Sequence, residues 1–231
     1  MTTTCSLRIM ILCGLLSTPL THAQDLSRYR DFQFGMNLPT VAKRADLKQS
    51  DARAVHQRPA RIEELDWRPQ SFLKTSPQAQ GDPVKDVLFS FYNGELFRMV
   101  VNYDPDRTKG LTNDDMVGAI SATYGNATRP AAKTINFSSA QGYSETEKVM
   151  ARWEDSQYSF NLFRSSYQPK FGMVVYSKRL EALARLAVVE AIRRDEQEAP
   201  QREVERQRKE AQETRSAEEK ARLSNKENFR P

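Results

Sequence analysis

The chain has 231 residues and carries 35 lysines and arginines against 30 aspartates and glutamates, a formal net charge of +5. These charges are interspersed along the globular part, whereas nucleic-acid-binding proteins concentrate Lys and Arg on one face, so the composition argues against a nucleic-acid partner. The mild positive charge is compatible with weak attraction to an anionic membrane surface.

The first 23 residues have the three-part layout of a secretory signal peptide. Arg8 is the only charge before the apolar residues 9–20, and Thr21-His22-Ala23 places small residues at the −3 and −1 positions of a cleavage site. The apolar run is shorter than the roughly 20 residues that span a bilayer. We therefore predict that residues 1–23 are removed and that the remaining chain is periplasmic or secreted, with no membrane span.

Both cysteines, Cys5 and Cys13, lie inside this segment. The mature chain would then have no thiol, which excludes a disulfide, a cysteine nucleophile and a thiolate metal site. Leu12 precedes Cys13 where a bacterial lipoprotein signal has a small residue, so we expect no lipid anchor. Without disulfides, the remaining chain of about 200 residues must be stabilised by its hydrophobic core.

Residues 24–110 are predicted to form a first unit of one helix and three strands. The helix begins at Asn37, its predicted N-cap, and has Pro39 in the first turn, where a missing N–H does no harm. The first strand surrounds Trp67. The polar, turn-rich residues 69–83 then form a loop before a hairpin.

The hairpin is marked by Asn93-Gly94 between two runs of alternating apolar residues. A two-residue turn would place Phe89 opposite Arg98 and mix the two faces. We therefore predict a three-residue loop from Tyr92 to Gly94, with Gly94 left-handed. This register puts the following apolar side chains on one face: Val87, Phe89, Phe91, Phe97, Met99, Val101 and Tyr103.

Residues 111–177 repeat this order of elements. Thr112 and Asp115 form a capping box at a helix start, and Gly125 suits the helix end. Residues 126–148 are polar and rich in turn formers, so they are predicted to be a loop. Three strands follow, one around Trp153 and two with alternating apolar residues: Tyr158, Phe160 and Leu162, then Phe171, Met173 and Val175.

The last strands of the two units have nearly the same sequence, FRMVVNY at residues 97–103 and FGMVVYS at residues 171–177. The spacing between other matching residues drifts, because each unit carries its loop at a different place. We predict an α+β fold of two tandem αβββ units with antiparallel sheets, followed by a C-terminal helix and a charged tail.

After Ser177 the apolar residues follow helical spacing and predict an amphipathic helix over residues 178–199. Pro200 is expected to interrupt this helix. Residues 200–231 are charge-dense and lack the apolar seam of a coiled coil. We predict that they form either a disordered tail or a solvent-exposed single helix.

The two helix starts resemble a known family. Residues 35–41 (GMNLPTV) are similar to the G-M-[TS]-x-x-x-V helix opening of the SmpA/OmlA-like envelope domains, and residues 111–117 (LTNDDMV) have similar spacing. A tandem αβββ order also resembles the β-lactamase-inhibitor-protein-like architecture. The chain departs from these families in lacking a lipobox, paired cysteines and the G-x-P that usually closes the helix. The resemblance implies a non-enzymatic periplasmic module that binds another envelope protein.

Residues with catalytic or metal-binding chemistry are sparse after residue 23. His56 is the one remaining histidine, has no Ser-His-Asp pattern around it, and is expected to be a solvated residue at a helix end. Residues 104–110 begin like a calcium loop, but Thr108 and Lys109 stand where an EF-hand has an acid or amide and a glycine. We therefore predict no catalytic residue, no cofactor and no metal site.

Two interpretations apply to the tryptophans. Trp67 and Trp153 either anchor the core of their sheets or form a recognition hot spot on an exposed sheet face; the core interpretation is favoured for at least one of them. Together with Phe72 in the loop of residues 69–83, they are the candidate contact residues.

The leading hypothesis from the sequence is an exported, non-catalytic interaction module whose partner is another envelope protein. One alternative is a carboxylate-based periplasmic hydrolase or metal-dependent enzyme, which would need two acids converging in a deep pocket. Another is a structural adaptor that acts through its C-terminal helix.

Overall fold

The computed structural model describes residues 25–69, 82–130, 134–138, 144–165, 170–228 and 230. The predicted signal peptide and Phe72 lie outside the described residues. In chain order the elements are β1 (Arg28–Tyr29), β2 (Phe32–Gln33), α1 (Leu38–Arg44), β3 (Arg53–His56), β4 (Ile62–Trp67), β5 (Val84–Tyr92), β6 (Glu95–Tyr103), α2 (Asn113–Tyr124), β7 (Thr134–Ser138), β8 (Ser144–Glu154), β9 (Tyr158–Arg164), β10 (Phe171–Ser177) and α3 (Lys178–Asn228).

Eight strands form one curled antiparallel sheet in the order β3-β4-β5-β6-β10-β9-β8-β7. Strands β3 to β6 lead from one edge to the centre, and β7 to β10 lead from the other edge to the centre. The two strands with similar sequences, β6 and β10, are therefore direct neighbours. Val100 lies opposite Val174 at the middle of this central pair.

The α+β class is confirmed, but the sheet arrangement differs from the prediction. Each half of the sheet has four strands instead of three, and the two halves form a single sheet. The additional strands are β3 and β7. Strand β3 is short and mostly exposed, and β7 lies within residues 126–148, where turn-forming neighbours obscure the alternation of Ile135 and Phe137.

The β5–β6 turn has two residues, not the predicted three. Asn93 and Gly94 have φ angles of 49° and 84°, and Tyr92 pairs directly with Glu95. The left-handed conformation predicted for Gly94 is confirmed. Positive φ at both central residues is typical of the turn that matches the twist of a two-residue hairpin.

A β-bulge keeps the two faces of this hairpin sorted despite the short turn. Phe91 pairs with Leu96, whereas Ser90 pairs with Arg98, so Phe97 is an extra residue in β6. Phe97 consequently packs on the opposite face from Phe89. The predicted common face of Phe89 and Phe97 is therefore wrong.

The helix caps follow the sequence. The Asn37 side chain accepts a hydrogen bond from the Thr40 N–H at 3.0 Å, which caps α1. Thr112 and Asp115 form the predicted capping box of α2, and Gly125 ends that helix with a φ of 76°. These local signals position both helices against the sheet.

The main core lies on the sheet face covered by α1, α2 and the β1–β2 hairpin, which we call the helix face. Val41 of α1 and Met116 of α2 pack there against buried residues from all the central strands. The sheet contributes the following side chains, among others: Leu65, Phe89, Met99, Val101, Trp153, Phe160, Leu162, Met173 and Val175.

The opposite face of the sheet, which we call the groove face, is covered unevenly. Ile135 and Phe137 of β7 pack over Phe163 and the central pair of valines, and the ring centroids of Phe137 and Phe163 are 5.0 Å apart. At another place on the same face, Leu180 and Ala184 of α3 pack against Ile62 and Phe97. A groove lies between the β7 side chains and the α3 side chains on this face.

Helix α3 continues through Pro200 to Asn228, so the predicted interruption at Pro200 is wrong. The residues around Pro200 are exposed, and water can therefore hydrate the carbonyl that loses its helical partner. The 51 residues correspond to a length of about 76 Å. In the described part of the chain, no helix is both long and apolar enough to cross a membrane.

Candidate binding groove

A groove with a volume of about 480 Å³ lies on the groove face between α3 and the two edge strands, β3 and β7. This volume falls in the range of ligand pockets in proteins. Phe97 and Arg98 of β6 form its floor, Val55 of β3 and Phe137 of β7 contribute to its sides, and Val188 of α3 lies above. We call this site the α3 groove.

The guanidinium of Arg98 is the central polar group of the floor. The β6 bulge places Arg98 on the groove face opposite Ser90, and only 13% of its side chain is exposed. Its Nη2 lies 3.4 Å from Ser90 Oγ, and its Cζ lies 5.2 Å from the centroid of the Phe97 ring. The bulge therefore presents an aromatic ring and a cation side by side.

Two carboxylates accompany Arg98. Glu181, in the first turn of α3, is only 5% exposed, and its Oε1 accepts a hydrogen bond from Arg185 Nε at 2.7 Å. The same oxygen lies 3.7 Å from Arg98 Nη1. Glu64 of β4 is also buried and pairs with Arg53 at 2.6 Å. Each carboxylate of the groove is thus bound to an arginine.

Two buried atoms of this cluster have hydrogen-bonding capacity to spare. Arg98 Nε and Glu181 Oε2 have no hydrogen-bond partner among the described residues. Buried polar groups are rarely left in this state, because losing the hydrogen bond costs about 1–3 kcal/mol per group. Both atoms are buried beneath the surface that lines the groove.

The groove exists because the two halves of the groove face are filled differently. Arg98 and Gly172 occupy matching places, each two residues before the central pair Val100 and Val174. Gly172 is covered by the ring of Phe163, which stands opposite it in the sheet. Arg98 is opposite Ser90, whose side chain is too small to fill the same space.

The wall formed by α3 is apolar and partly open to solvent. Val188 is partly buried and packs against the cluster that includes Phe97, whereas Val189 is 65% exposed. Val55 across the groove is 42% exposed. Apolar walls around a few convergent polar groups are typical of sites that bind a ligand in one orientation.

His56 lies at the end of β3 and lines the α3 groove. It is therefore not the solvated helix-end residue that the sequence suggested, because β3 was not expected. Among the described residues, no group of three or more His, Cys, Asp or Glu side chains is arranged to hold a metal ion. Asp104, in the predicted calcium-like loop, accepts hydrogen bonds from the N–H of Asp106 through its side chain and from Thr108 through its carbonyl.

Neither tryptophan lines the α3 groove. Trp153 has no exposed surface, and its indole N–H donates to the Gly125 carbonyl at 2.9 Å and to Ser121 Oγ at 3.2 Å. It is therefore a core residue and not part of a contact surface. Trp67 is partly buried on the helix face, where its ring centroid lies 5.2 Å from that of Phe32. Phe72 lies outside the described residues.

Arg98 and Glu181 were not among the residues predicted from the sequence. The available signal was a charged residue inside the apolar alternation of β6, and a glutamate between Leu180 and Ala184 on the buried side of α3. Neither signal points to the other residue, because the contact joins positions 83 residues apart in the chain.

A separate polar cluster attaches the β1–β2 hairpin to the sheet. Arg30 donates two hydrogen bonds to the Asp82 carboxylate, at 2.7 and 2.8 Å. Burial raises the pKa of the neighbouring Tyr29 and Tyr103 hydroxyls, and it raises the pKa of Tyr124 to about 12. Since these groups contact one another and close the helix face, their role is structural.

Comparison of the chain with protein-family models, with curated proteins and with solved structures gives no match.

Proposed function

We propose that this chain is an exported, non-catalytic interaction module of the cell envelope and that the α3 groove is the surface that binds its partner, another envelope protein. The observation that carries the proposal is the groove of about 480 Å³, whose apolar walls surround the ion pair of Arg98 and Glu181. Such a combination provides both contact area and orientation for a bound group.

The remaining parts of the proposal come from the sequence and the sheet order. Residues 1–23 support export to the periplasm or secretion. The order of the strands and the central pair Val100–Val174 support an origin from two tandem αβββ units, each with one additional edge strand. The net positive charge supports at most a weak contact with an anionic membrane surface.

The hydrolase alternative has less support. Glu64 and Glu181 both reach the α3 groove, as a carboxylate pair would require. However, Arg53 and Arg185 each bind one of these carboxylates. In this arrangement each carboxylate is held by an ion pair with an arginine.

Site-specific photocrosslinking in intact cells tests the proposal. A photoreactive amino acid at Val189, on the exposed rim of the groove, is expected to give a discrete crosslinked protein band. Lys43, exposed on α1 and far from the groove in the fold, is the control position. Equal crosslinking at both positions, or none at Val189, would reject the groove as the contact surface.

A further inference from the structure

A second surface lies beside the α3 groove, on the side of α3 that points away from the sheet. Leu180 and Ala184, on the opposite side of the helix, pack against the sheet. Eight large apolar side chains are exposed among the described residues, and four of them fall within residues 183–192 of α3. We call these four the outer face of α3: Leu183, Leu186, Val189 and Ile192. An apolar stripe of this kind on an exposed helix marks an interaction surface.

The outer face of α3 fits a second copy of itself. We infer that it binds the outer face of a second copy of this chain, with the two helices antiparallel and a two-fold axis at Val189. In such a contact one surface patch serves both partners. Leu186 and Ile192 lie three residues on either side of Val189, so each packs on the other residue of the second copy. The inference goes beyond the proposed function, because of these residues only Val189 lines the α3 groove.

The charge distribution along α3 determines the direction of pairing. The eleven residues before Val189, 178–188, contain three basic residues and one acidic residue, a net charge of +2. The eleven residues after it, 190–200, contain two basic and four acidic residues, a net charge of −2. Antiparallel pairing about Val189 places each positive segment against the negative segment of the second copy, whereas parallel pairing would place like charges together. Complementary potentials favour the first arrangement and suppress the second.

The paired region is limited to residues 178–200 of each helix. Helix α3 begins at Lys178, and an axis at Val189 places Pro200 of the second copy opposite that residue. The overlap is therefore about 34 Å long. It contains the whole outer face of α3, whose burial stabilises the pair. The rest of α3 has only Val204 and Leu223 as exposed large apolar side chains, which are too far apart to extend the stripe.

Cysteine crosslinking tests the position of the axis. In the full chain with Cys5→Ser and Cys13→Ser, an introduced cysteine is the only thiol. Val189→Cys should form a disulfide with its own copy under mild oxidation, because only a residue near the axis of an antiparallel pair meets itself within disulfide distance. Gln207→Cys is the matched control: it is exposed and lies five helical turns further on the same side of α3, and it should not crosslink. Equal crosslinking at both positions, or none at Val189→Cys, would overturn the inference.

Sedimentation equilibrium measures the association itself. We expect the purified chain to form dimers, and Leu186→Glu to raise their dissociation constant at least tenfold, because it places a carboxylate in the apolar contact of each copy. Val204→Glu is the matched control, five turns further on the same side of α3 and 47% exposed, and should leave the constant unchanged. Leu186 is 69% exposed in the single chain, so circular dichroism should show both variants folded. A monomeric wild-type chain, or equal effects of the two substitutions, would count decisively against the second copy.

The proposed function and this inference fail separately. In the photocrosslinking experiment at Val189, a product of twice the mass of the chain identifies a second copy, whereas a product with a different protein identifies the partner proposed for the α3 groove. A purified chain that stays monomeric but crosslinks to another protein in cells would overturn the inference alone. A dimer that gives only the self-crosslinked product would reject the proposed partner and support the inference.

Discussion

Replacing Gly172 by alanine tests how tightly the groove face is packed outside the groove. Gly172 lies in the central strand β10, paired with Asn102 on one side and Phe163 on the other. An added Cβ would lie 2.2 Å from Phe163 Cζ, whereas ordinary contacts begin at 3.4 Å. The ring would therefore have to move by about 1.2 Å, the difference of these two distances.

The energetic cost of this movement follows from the burial of the ring. Phe163 has no exposed surface and packs against Phe137, so overpacking should cost close to the upper end of the usual range, about 3 kcal/mol. Alanine regains about 0.5–1 kcal/mol through the lower backbone entropy of the unfolded chain. We expect Gly172→Ala to lower the free energy of unfolding by about 2 kcal/mol and the melting temperature by roughly 4–8 °C.

Urea denaturation followed by circular dichroism measures this effect, and a double-mutant cycle identifies its cause. Adding Phe163→Leu should recover part of the loss, so that the double variant is more stable than additivity predicts. Gly118→Ala, in α2, is the control: no atom lies within 4 Å of its added Cβ, and helix propensity should stabilise that variant by about 1 kcal/mol. Wild-type stability of Gly172→Ala, or strict additivity in the cycle, would refute the packing argument.

Three further predictions concern the core, the tyrosine cluster and α3. Trp153→Phe removes the buried indole N–H that donates to the carbonyl of the exposed Gly125 and should cost about 0.5–1.5 kcal/mol in urea denaturation. The pKa of Tyr124 is raised to about 12 by burial, so its contribution to stability is complete below pH 10 and is lost as the pH rises towards 12. In a pH titration followed by absorbance at 295 nm, Tyr124 and Tyr103 should ionise at higher pH than exposed tyrosines. Ionisation of all tyrosines at the same pH in the folded protein would contradict this. Pro200→Ala should increase the ellipticity at 222 nm without changing the melting midpoint of the folded body, because the surrounding helix is exposed.

The hairpin shows how far local sequence signals extend. Asn93-Gly94 correctly marks the turn, and Gly94 has the predicted left-handed conformation. The prediction failed because it sought a turn length that aligned every apolar residue. The chain instead keeps the favoured two-residue turn and inserts Phe97 as a bulge. A bulge depends on which side chains meet across the finished sheet, and local propensity does not report that.

The α3 groove was beyond sequence reasoning for a related reason. Capping boxes and alternation predicted both helices and most strands, because those signals act within a few residues. The groove depends on the curl of the sheet, which brings β3 and β7 to one site, and on the contact of Arg98 with Glu181. Trp153, a candidate contact residue from the sequence, lies in the core. Arg98, a charged residue within an apolar strand, lines the groove instead.

The central pair of strands determines what would happen to the molecule if it were divided. Strand β6 is flanked by β5 and β10 and is buried on both faces at Val100 and Val101. In a fragment ending after β6, that strand would become an unpaired, apolar edge strand. Since β10 and β6 have similar sequences, β6 of a second copy of the fragment could pair with β6 of the first in place of β10. Severed halves should consequently be recovered as pairs, and the intact polypeptide resembles such a pair joined by its own connecting segment.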